Sequence, residues 1–187
     1  MSQQLEGKRV AILATDGFEE SELAVPQSTL RGDGVEVHVI APNKDGIRAW
    51  NKGEWSETYD VDVALDQAKA ADYHALVLPG GVINPDKLRV NETALEFVNA
   101  FFQAGKPVAA ICHGPWTLIN AGVVEGRKMT SYPSVRKDLE NAGALWEDSE
   151  VVVDQGLVTS RKPDDLDAFC KRLAEELAEG RHDGQHA

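Results

Sequence analysis

The chain has 187 residues, of which 42% are hydrophobic and 27% charged, a composition typical of an ordinary soluble globular protein. This length supports one well-formed core, and we predict a single domain over residues 1–187. The formal net charge of −12 repels polyphosphates at long range, which argues against nucleic acid as a partner.

Export and membrane signals are missing from the sequence. The N-terminal segment has no apolar stretch of signal-peptide length, and no apolar run approaches a membrane span. The two cysteines, Cys112 and Cys170, have no paired spacing, so the sequence predicts neither a disulfide framework nor a zinc site. We therefore expect a cytoplasmic protein that binds neither membranes nor a metal ion.

Strands and helices alternate along the chain. In chain order we predict a strand at 8–15, a helix at 19–30, a strand at 35–41, short strands at 47–50 and 59–63, a short helix at 65–71, a strand at 75–78, a helix at 92–104, a strand at 108–111, a helix from Pro115, a helix at 134–142, strands at 151–154 and 157–160, and a helix at 163–179. This alternation predicts an α/β fold with an open, mostly parallel sheet and helices on both faces. Cys170 belongs to the apolar stripe of the last helix and is assigned to the core. The polar tail, residues 180–187, is expected to fray.

The stretch from 106 to 120 organises the sequence. The apolar run 108–111 predicts a strand buried on both faces, and Cys112 follows it without a turn-forming residue. Pro115 is suited to the first turn of a helix, so Cys112 should occupy a sharp, strained corner between strand and helix. Ala110 and Gly114 flank it at two residues on each side, the cysteine version of a nucleophile elbow.

A cysteine at such a corner faces the positive end of a helix dipole, which lowers the pKa of a thiol. The sequence therefore predicts a reactive Cys112 thiolate. The alternative is a buried, inert cysteine, the usual state of a free thiol in a protein core.

Two further loops follow predicted strands and should meet the elbow. Residues 16–22 follow the first strand, and Pro79-Gly80-Gly81 follows the strand at 75–78. Because ligands bind outside the carboxyl ends of strands in open α/β sheets, these loops predict a site together with Cys112 and His113. Gly80 and Gly81 would expose backbone N–H groups to an oxyanion, although such a pair also marks a simple turn.

Only one of the five histidines adjoins the thiol, and this is His113. His38 lies on a predicted strand, His74 in a turn, and His182 and His186 in the tail. His113 is thus a candidate base, unless its ring merely packs beside the elbow.

Three acids follow the first strand. Glu19 and Glu20 are explained by the helix dipole alone, whereas Glu22 lies one turn further along and can point at the site. A carboxyl close to a thiolate should remain protonated, and it would then donate a hydrogen bond to the sulfur.

Taken together, these segments resemble the PfpI family of intracellular-protease-I-like proteins in the DJ/PfpI superfamily, which is related to class I glutamine amidotransferases. The resemblance covers residues 8–177 and rests on the order and spacing of segments 18–23, 79–81, 105–107, 110–114, 121–123, 130–133 and 150–154. An amidotransferase would need a late His and Glu to pair with the cysteine, and the late histidines here lie in the tail without that spacing.

The resemblance implies a flavodoxin-like three-layer sandwich and a cofactor-free site. Cys112 would be the nucleophile, His113 its partner and Glu22 the protonated carboxyl, while the N–H groups of Gly81 and His113 would form the oxyanion hole. Asp86 matches the acid that orients the histidine from a neighbouring subunit, although the segment before it is one residue longer than in some members. If this match holds, the protein is a homodimer or a larger homo-oligomer.

The resemblance leaves three functions open. The first is a stress-protection enzyme of the glyoxalase or protein-deglycase type, acting on aldehydes and dicarbonyls through a thiol adduct. The second is an intracellular cysteine peptidase that cleaves short peptides. The third is a redox sensor or chaperone whose Cys112 is oxidised to a sulfinate. An expected contrast in exposure with Cys170 would favour oxidation of Cys112 under the enzyme functions as well, so oxidation alone does not distinguish the three.

Overall fold

A seven-stranded sheet runs through the centre of the fold. The computed structural model describes the backbone of residues 2–185 and the side chains of residues 4–185. In chain order the strands are β1 (Arg9–Leu13), β2 (Phe18–Glu19), β3 (Glu36–Ala41), β4 (Ile47–Asn51), β5 (Glu54–Tyr59), β6 (Val63–Ala64), β7 (Ala75–Leu78), β8 (Val108–Ile111), β9 (Lys128–Met129), β10 (Leu145–Trp146), β11 (Val152–Asp154) and β12 (Leu157–Ser160). Their order across the main sheet is β11-β12-β8-β7-β1-β3-β6, and every neighbouring pair is parallel except β11 with β12.

Helices cover both faces of this sheet. They are α1 (Ser2–Leu5), α2 (Glu20–Gly32), α3 (Ile83–Leu88), α4 (Glu92–Gln103), α5 (Pro115–Ala121), α6 (Arg136–Asn141) and α7 (Leu166–Glu179). Along β1, Val10 and Ile12 join the core cluster that contains α2 and α7, while Ala11 and Leu13 join the cluster that contains α4 and α5. This alternation follows from the two-residue period of a strand and gives three layers. The predicted flavodoxin-like sandwich is confirmed.

Two of the predicted short elements were wrong. In place of a strand at 59–63, β4 pairs with β5 in an antiparallel hairpin that turns at Lys52 and Gly53. In place of a helix at 65–71, the chain forms two three-residue 3₁₀ turns. The backbone is extended at Ala68 and Lys69, so the two turns do not join into one helix.

Helix α3 was missed by the sequence analysis. It has six residues and contains Pro85, so it shows neither a helical period of useful length nor ordinary helix-forming composition. Its position is set instead by Asn84, a fully buried side chain that binds the backbone of two strand ends.

The tail is not frayed over its described part, contrary to the sequence-based expectation. The backbone N–H of His182 donates to the Gly105 carbonyl at 2.8 Å. The amide of Gln185 is buried, accepts a hydrogen bond from Arg127 at 2.8 Å and donates one to the Lys106 carbonyl at 3.2 Å. A polar segment can therefore dock by satisfying buried polar groups instead of covering an apolar surface. His186 lies outside the described residues.

We expect Gln185→Ala to lower the free energy of unfolding by about 1–2 kcal/mol, because it leaves a buried guanidinium donor and a backbone carbonyl without their partner. Chemical denaturation monitored by circular dichroism measures this change. The matched control is Gln103→Ala at an exposed position, which should stay within about 0.5 kcal/mol of wild type. Equal midpoints for Gln185→Ala and wild type would show that the tail does not stabilise the fold.

Candidate active site

Cys112 occupies the corner between β8 and α5, as the sequence predicted. Its φ angle is 64°, in the left-handed region that residues other than Gly and Asn rarely adopt. Such a conformation costs on the order of 1–3 kcal/mol and persists only where the surroundings enforce it. Pro115 begins the following helix at its first position, where no N–H is required.

Gly80 packs directly against this corner. A Cβ atom at Gly80 would lie 2.6 Å from the Cys112 Cβ and 2.6 Å from Glu22 Oε1, closer than real side chains approach. The glycine therefore lets the ends of two strands and the Glu22 carboxyl meet at one point. A larger residue here would push the carboxyl away from the thiol.

The three predicted loops converge on one cavity of about 570 Å³. This volume suits a small-molecule ligand. Its wall is formed by Glu19, Ser21, Glu22, Asn51, Lys52, Gly53, Gly81, Val82, Cys112, His113, Tyr132 and Pro163. The hairpin tip at 51–53 was not predicted to contribute, because β4 joins β2 and β5 in a separate three-stranded sheet, and this pairing of distant segments has no local sequence signal.

The imidazole of His113 faces the thiol. Its Nδ1 atom lies 3.1 Å from Cys112 Sγ, so the two side chains are within hydrogen-bond distance. Burial lowers the pKa of His113, which keeps the ring neutral and able to accept a proton near pH 7.

Two residues that hold the imidazole were not identified from the sequence. Ser134 Oγ lies 3.2 Å from Nε2, and the Tyr132 ring stacks on His113 with centroids 4.8 Å apart. Tyr132 was part of the segment used for the resemblance, but no local pattern marks either residue as a neighbour of His113. Their contact depends on how the loop after β9 folds back over the elbow.

Glu22 is fully buried beside the thiol. Its Oε1 accepts a hydrogen bond from the Gly80 N–H at 3.0 Å, whereas Oε2 has no hydrogen-bond partner among the described residues. Burial, with a smaller contribution from the charge of Glu19, raises the pKa of Glu22 to about 8. The carboxyl is therefore mainly protonated at neutral pH, as the sequence analysis expected.

The expected low pKa of the thiol was wrong. Burial raises the pKa of Cys112, and a charge on Glu22 would raise it further. Backbone N–H groups of Gly81 and His113 act in the opposite direction but do not outweigh burial. The residue is 7% exposed, so the helix terminus cannot replace the hydration that a standing thiolate would lose.

Asn84 supports the Gly80–Gly81 loop from behind, and its importance was not recognised from the sequence. Its Oδ1 accepts from the Thr15 N–H at 2.8 Å, and its amide donates to the carbonyls of Pro79 and Gly80 at 3.0 Å each. This one side chain ties the end of β1 to the end of β7.

Asp86 lies in α3 and is exposed. It is not part of the cavity wall, and within the described chain the His113 Nε2 contact is made by Ser134. The prediction that Asp86 orients the histidine from a neighbouring subunit remains a prediction.

Packing accounts for Cys170 and Trp116. Cys170 lies in the buried stripe of α7, as predicted, and is 6% exposed. The expected contrast in exposure with Cys112 is therefore absent, and the difference between the two thiols is that only Cys112 lines the described cavity. Trp116 packs edge-on against His113 with centroids 5.0 Å apart and donates to Asp138 at 2.8 Å, so it covers the elbow helix.

We expect the stability of the protein to fall as pH rises from 5 to 8 because of Glu22. Its carboxyl ionises near 4.5 when unfolded and near 8 when folded, so in this window the folded state holds a proton that the unfolded state has released. The effect is on the order of 3 kcal/mol and should disappear in Glu22→Gln. Denaturation midpoints across this range measure it, with the exposed Glu96→Gln variant keeping the wild-type slope. Parallel profiles for wild type and Glu22→Gln would contradict a neutral Glu22.

Comparison with known proteins confirms the resemblance found in the sequence. The model of the DJ-1/PfpI family matches residues 8–176. Protein/nucleic acid deglycase 2 of Escherichia coli is 46% identical over 163 residues, 87% of this chain and 93% of that protein. YraA of Bacillus subtilis, named as a candidate cysteine protease, is 43% identical over 164 residues, 87% of this chain and 94% of that protein. The structure of Drosophila melanogaster DJ-1beta superposes with a TM-score of 0.81 at 30% identity, covering 91% of this chain and 90% of that one. The chain belongs to the DJ-1/PfpI family.

Proposed function

We propose that the protein is a cofactor-free cysteine enzyme of stress protection that converts reactive dicarbonyls of the methylglyoxal type into hydroxy acids. The observation that carries this proposal is the Cys112 thiol 3.1 Å from the His113 imidazole at the wall of a cavity of small-molecule size. The relative named as a deglycase supports chemistry on carbonyl adducts.

The reaction begins with a neutral thiol and a neutral imidazole. The reaction uses the His113 tautomer protonated on Nε2: Ser134 Oγ, 3.2 Å away, accepts that hydrogen bond, and the Nδ1 lone pair faces the S–H group. His113 takes the thiol proton as the sulfur attacks, so no standing thiolate is required. This agrees with a thiol whose pKa is raised by burial.

Attack forms a bond between Sγ and the aldehyde carbon, and the carbonyl oxygen becomes an oxyanion. The backbone N–H groups of Gly81 and His113 are close enough to the sulfur to oppose the rise in its pKa. They are therefore next to the carbon under attack and can donate to its oxygen. Protonation of that oxygen completes a hemithioacetal.

Rearrangement moves the aldehyde hydrogen, as a proton, from the first carbon to the second and converts the hemithioacetal into a thioester. His113 and Glu22 are the two groups at the sulfur that can shuttle protons in this step. Water then cleaves the thioester and restores the thiol. The sum is one dicarbonyl and one water giving one hydroxy acid, with no net oxidation.

The same proposal includes a homo-oligomer in which Asp86 of a neighbouring copy completes the site. Its support is the match of Asp86 to the family position, its exposure, and its place on α3, directly after Val82 of the cavity wall. An exposed carboxylate on that helix is available to a second copy of the chain.

Lactate formation from methylglyoxal tests the central role of the thiol. We expect Cys112→Ala to fall to the uncatalysed rate and His113→Ala to lose about 100-fold or more, while Cys170→Ala keeps the wild-type rate. Equal rates for wild type and Cys112→Ala would eliminate the proposal.

A cysteine peptidase is the second candidate, supported by the name of the relative YraA. The same thiol and N–H groups would form an acyl-enzyme. Fluorogenic peptides assayed with the same variants distinguish the two functions. Turnover of peptides but not of methylglyoxal, lost in Cys112→Ala, would favour the peptidase.

Ser134→Ala should lower kcat/KM for methylglyoxal by about 10-fold, the equivalent of one hydrogen bond of roughly 1.4 kcal/mol. The loss should appear mainly in kcat, because the hydroxyl orients the base and does not line the cavity. Ser134→Thr, which keeps the hydroxyl, should recover most of the rate. Wild-type kinetics in Ser134→Ala would show that the hydroxyl does not orient the imidazole ring of His113.

A further inference from the structure

Three side chains meet where α7 ends. This place is at the end of the sheet where strand β8 begins, opposite the cavity. Glu176 and Glu179 are three residues apart on the helix and therefore share a face. The chain turns at Gly180, with a φ of 91°, and brings His182 back towards them. One donor atom from each of Glu176, Glu179 and His182 lies within 4.8 Å of the other two.

Two of these atoms are buried without hydrogen bonds. Glu176 is 4% exposed, and its Oε2 lies 2.9 Å from His182 Nε2. Neither atom has a hydrogen-bond partner within residues 4–185, so the ring N–H direction does not point at the carboxylate oxygen. In the tautomer that carries its proton on Nδ1, the Nε2 lone pair and the carboxylate oxygen repel each other at this separation, and a cation between them removes the repulsion.

The histidine ring is held in place by backbone contacts. The N–H of His182 donates to the Gly105 carbonyl at 2.8 Å. The ring packs on Gly156, where an added Cβ would lie 2.9 Å from Cδ2. Both contacts fix the imidazole before any ligand binds, which lowers the entropic cost of binding.

We propose that Glu176, Glu179 and His182 bind a divalent transition-metal cation, with Zn²⁺ the best match. Zn²⁺ accepts imidazole and carboxylate ligands together, whereas Mg²⁺ and Ca²⁺ prefer oxygen ligands alone. Three protein ligands leave a position for water. The ion joins the tail to α7 and so stabilises the described packing of residues 180–185.

Two of the three proposed ligands lie outside the segment that matches the family model. That segment ends at residue 176, and Glu179 and His182 follow it. The sequence predicted no metal site because its two cysteines have no paired spacing. The two helical glutamates and the histidine become neighbours only after the chain reverses at Gly180.

Equilibrium dialysis against Zn²⁺ tests the proposal, with bound metal counted by elemental analysis. All variants carry Cys112→Ala, which removes the competing thiol and separates this test from the proposed catalytic function. We expect one Zn²⁺ per chain and a rise in Tm on adding Zn²⁺. Glu179→Gln should weaken binding by about 10-fold or more, and its side chain is 64% exposed, so the fold is retained.

The matched control is Asp167→Asn, an exposed acid on the same helix, which should bind Zn²⁺ like the parent. His182→Ala should abolish both the binding and the rise in Tm. Absence of bound Zn²⁺ in the parent, or equal affinity in the parent, Glu179→Gln and His182→Ala, would overturn the site.

Discussion

The close approach of Gly80 to Cys112 and Glu22 is the contact on which the candidate site depends. The absence of a side chain at Gly80 lets the end of β7 lie against the elbow after β8. The strained backbone of Cys112 is then held between two strand ends and a buried carboxyl. The strain persists because the surrounding packing and the hydrogen bonds of Asn84 and Glu22 would be lost if the corner relaxed.

Burial determines the protonation of the whole site. It raises the pKa of the Cys112 thiol, raises that of Glu22 and lowers that of His113, so all three groups are neutral near pH 7. In the proposed reaction, reactivity comes from proton transfer during attack and not from a standing anion. Burial also lets the Glu22 carboxyl lie beside the Cys112 sulfur without repelling it, since the carboxyl is mainly protonated at neutral pH.

The central strand β8 links this site to the other end of the molecule. Its carboxyl end leads to Cys112, while the segment before its start, Gly105 and Lys106, binds the tail. The strand has four residues, so the two ends are separated by only ~13 Å. The tail and the elbow thus share one rigid element.

No helix in the described part of the chain has the length and apolar character needed to cross a membrane.

The sequence by itself determined the sandwich, the strained corner at Cys112 and the meeting of three strand ends. These depend on local signals: buried apolar runs, a proline after a short turn, and glycines at strand ends. The Ser134 and Tyr132 contacts with His113, the hairpin tip at the cavity and the packing of the tail were decided only by tertiary structure, because each joins segments distant in sequence. The raised pKa of Cys112 was likewise decided only by the tertiary structure. A helix terminus is visible in the sequence, but the desolvation that outweighs it exists only after the core has formed.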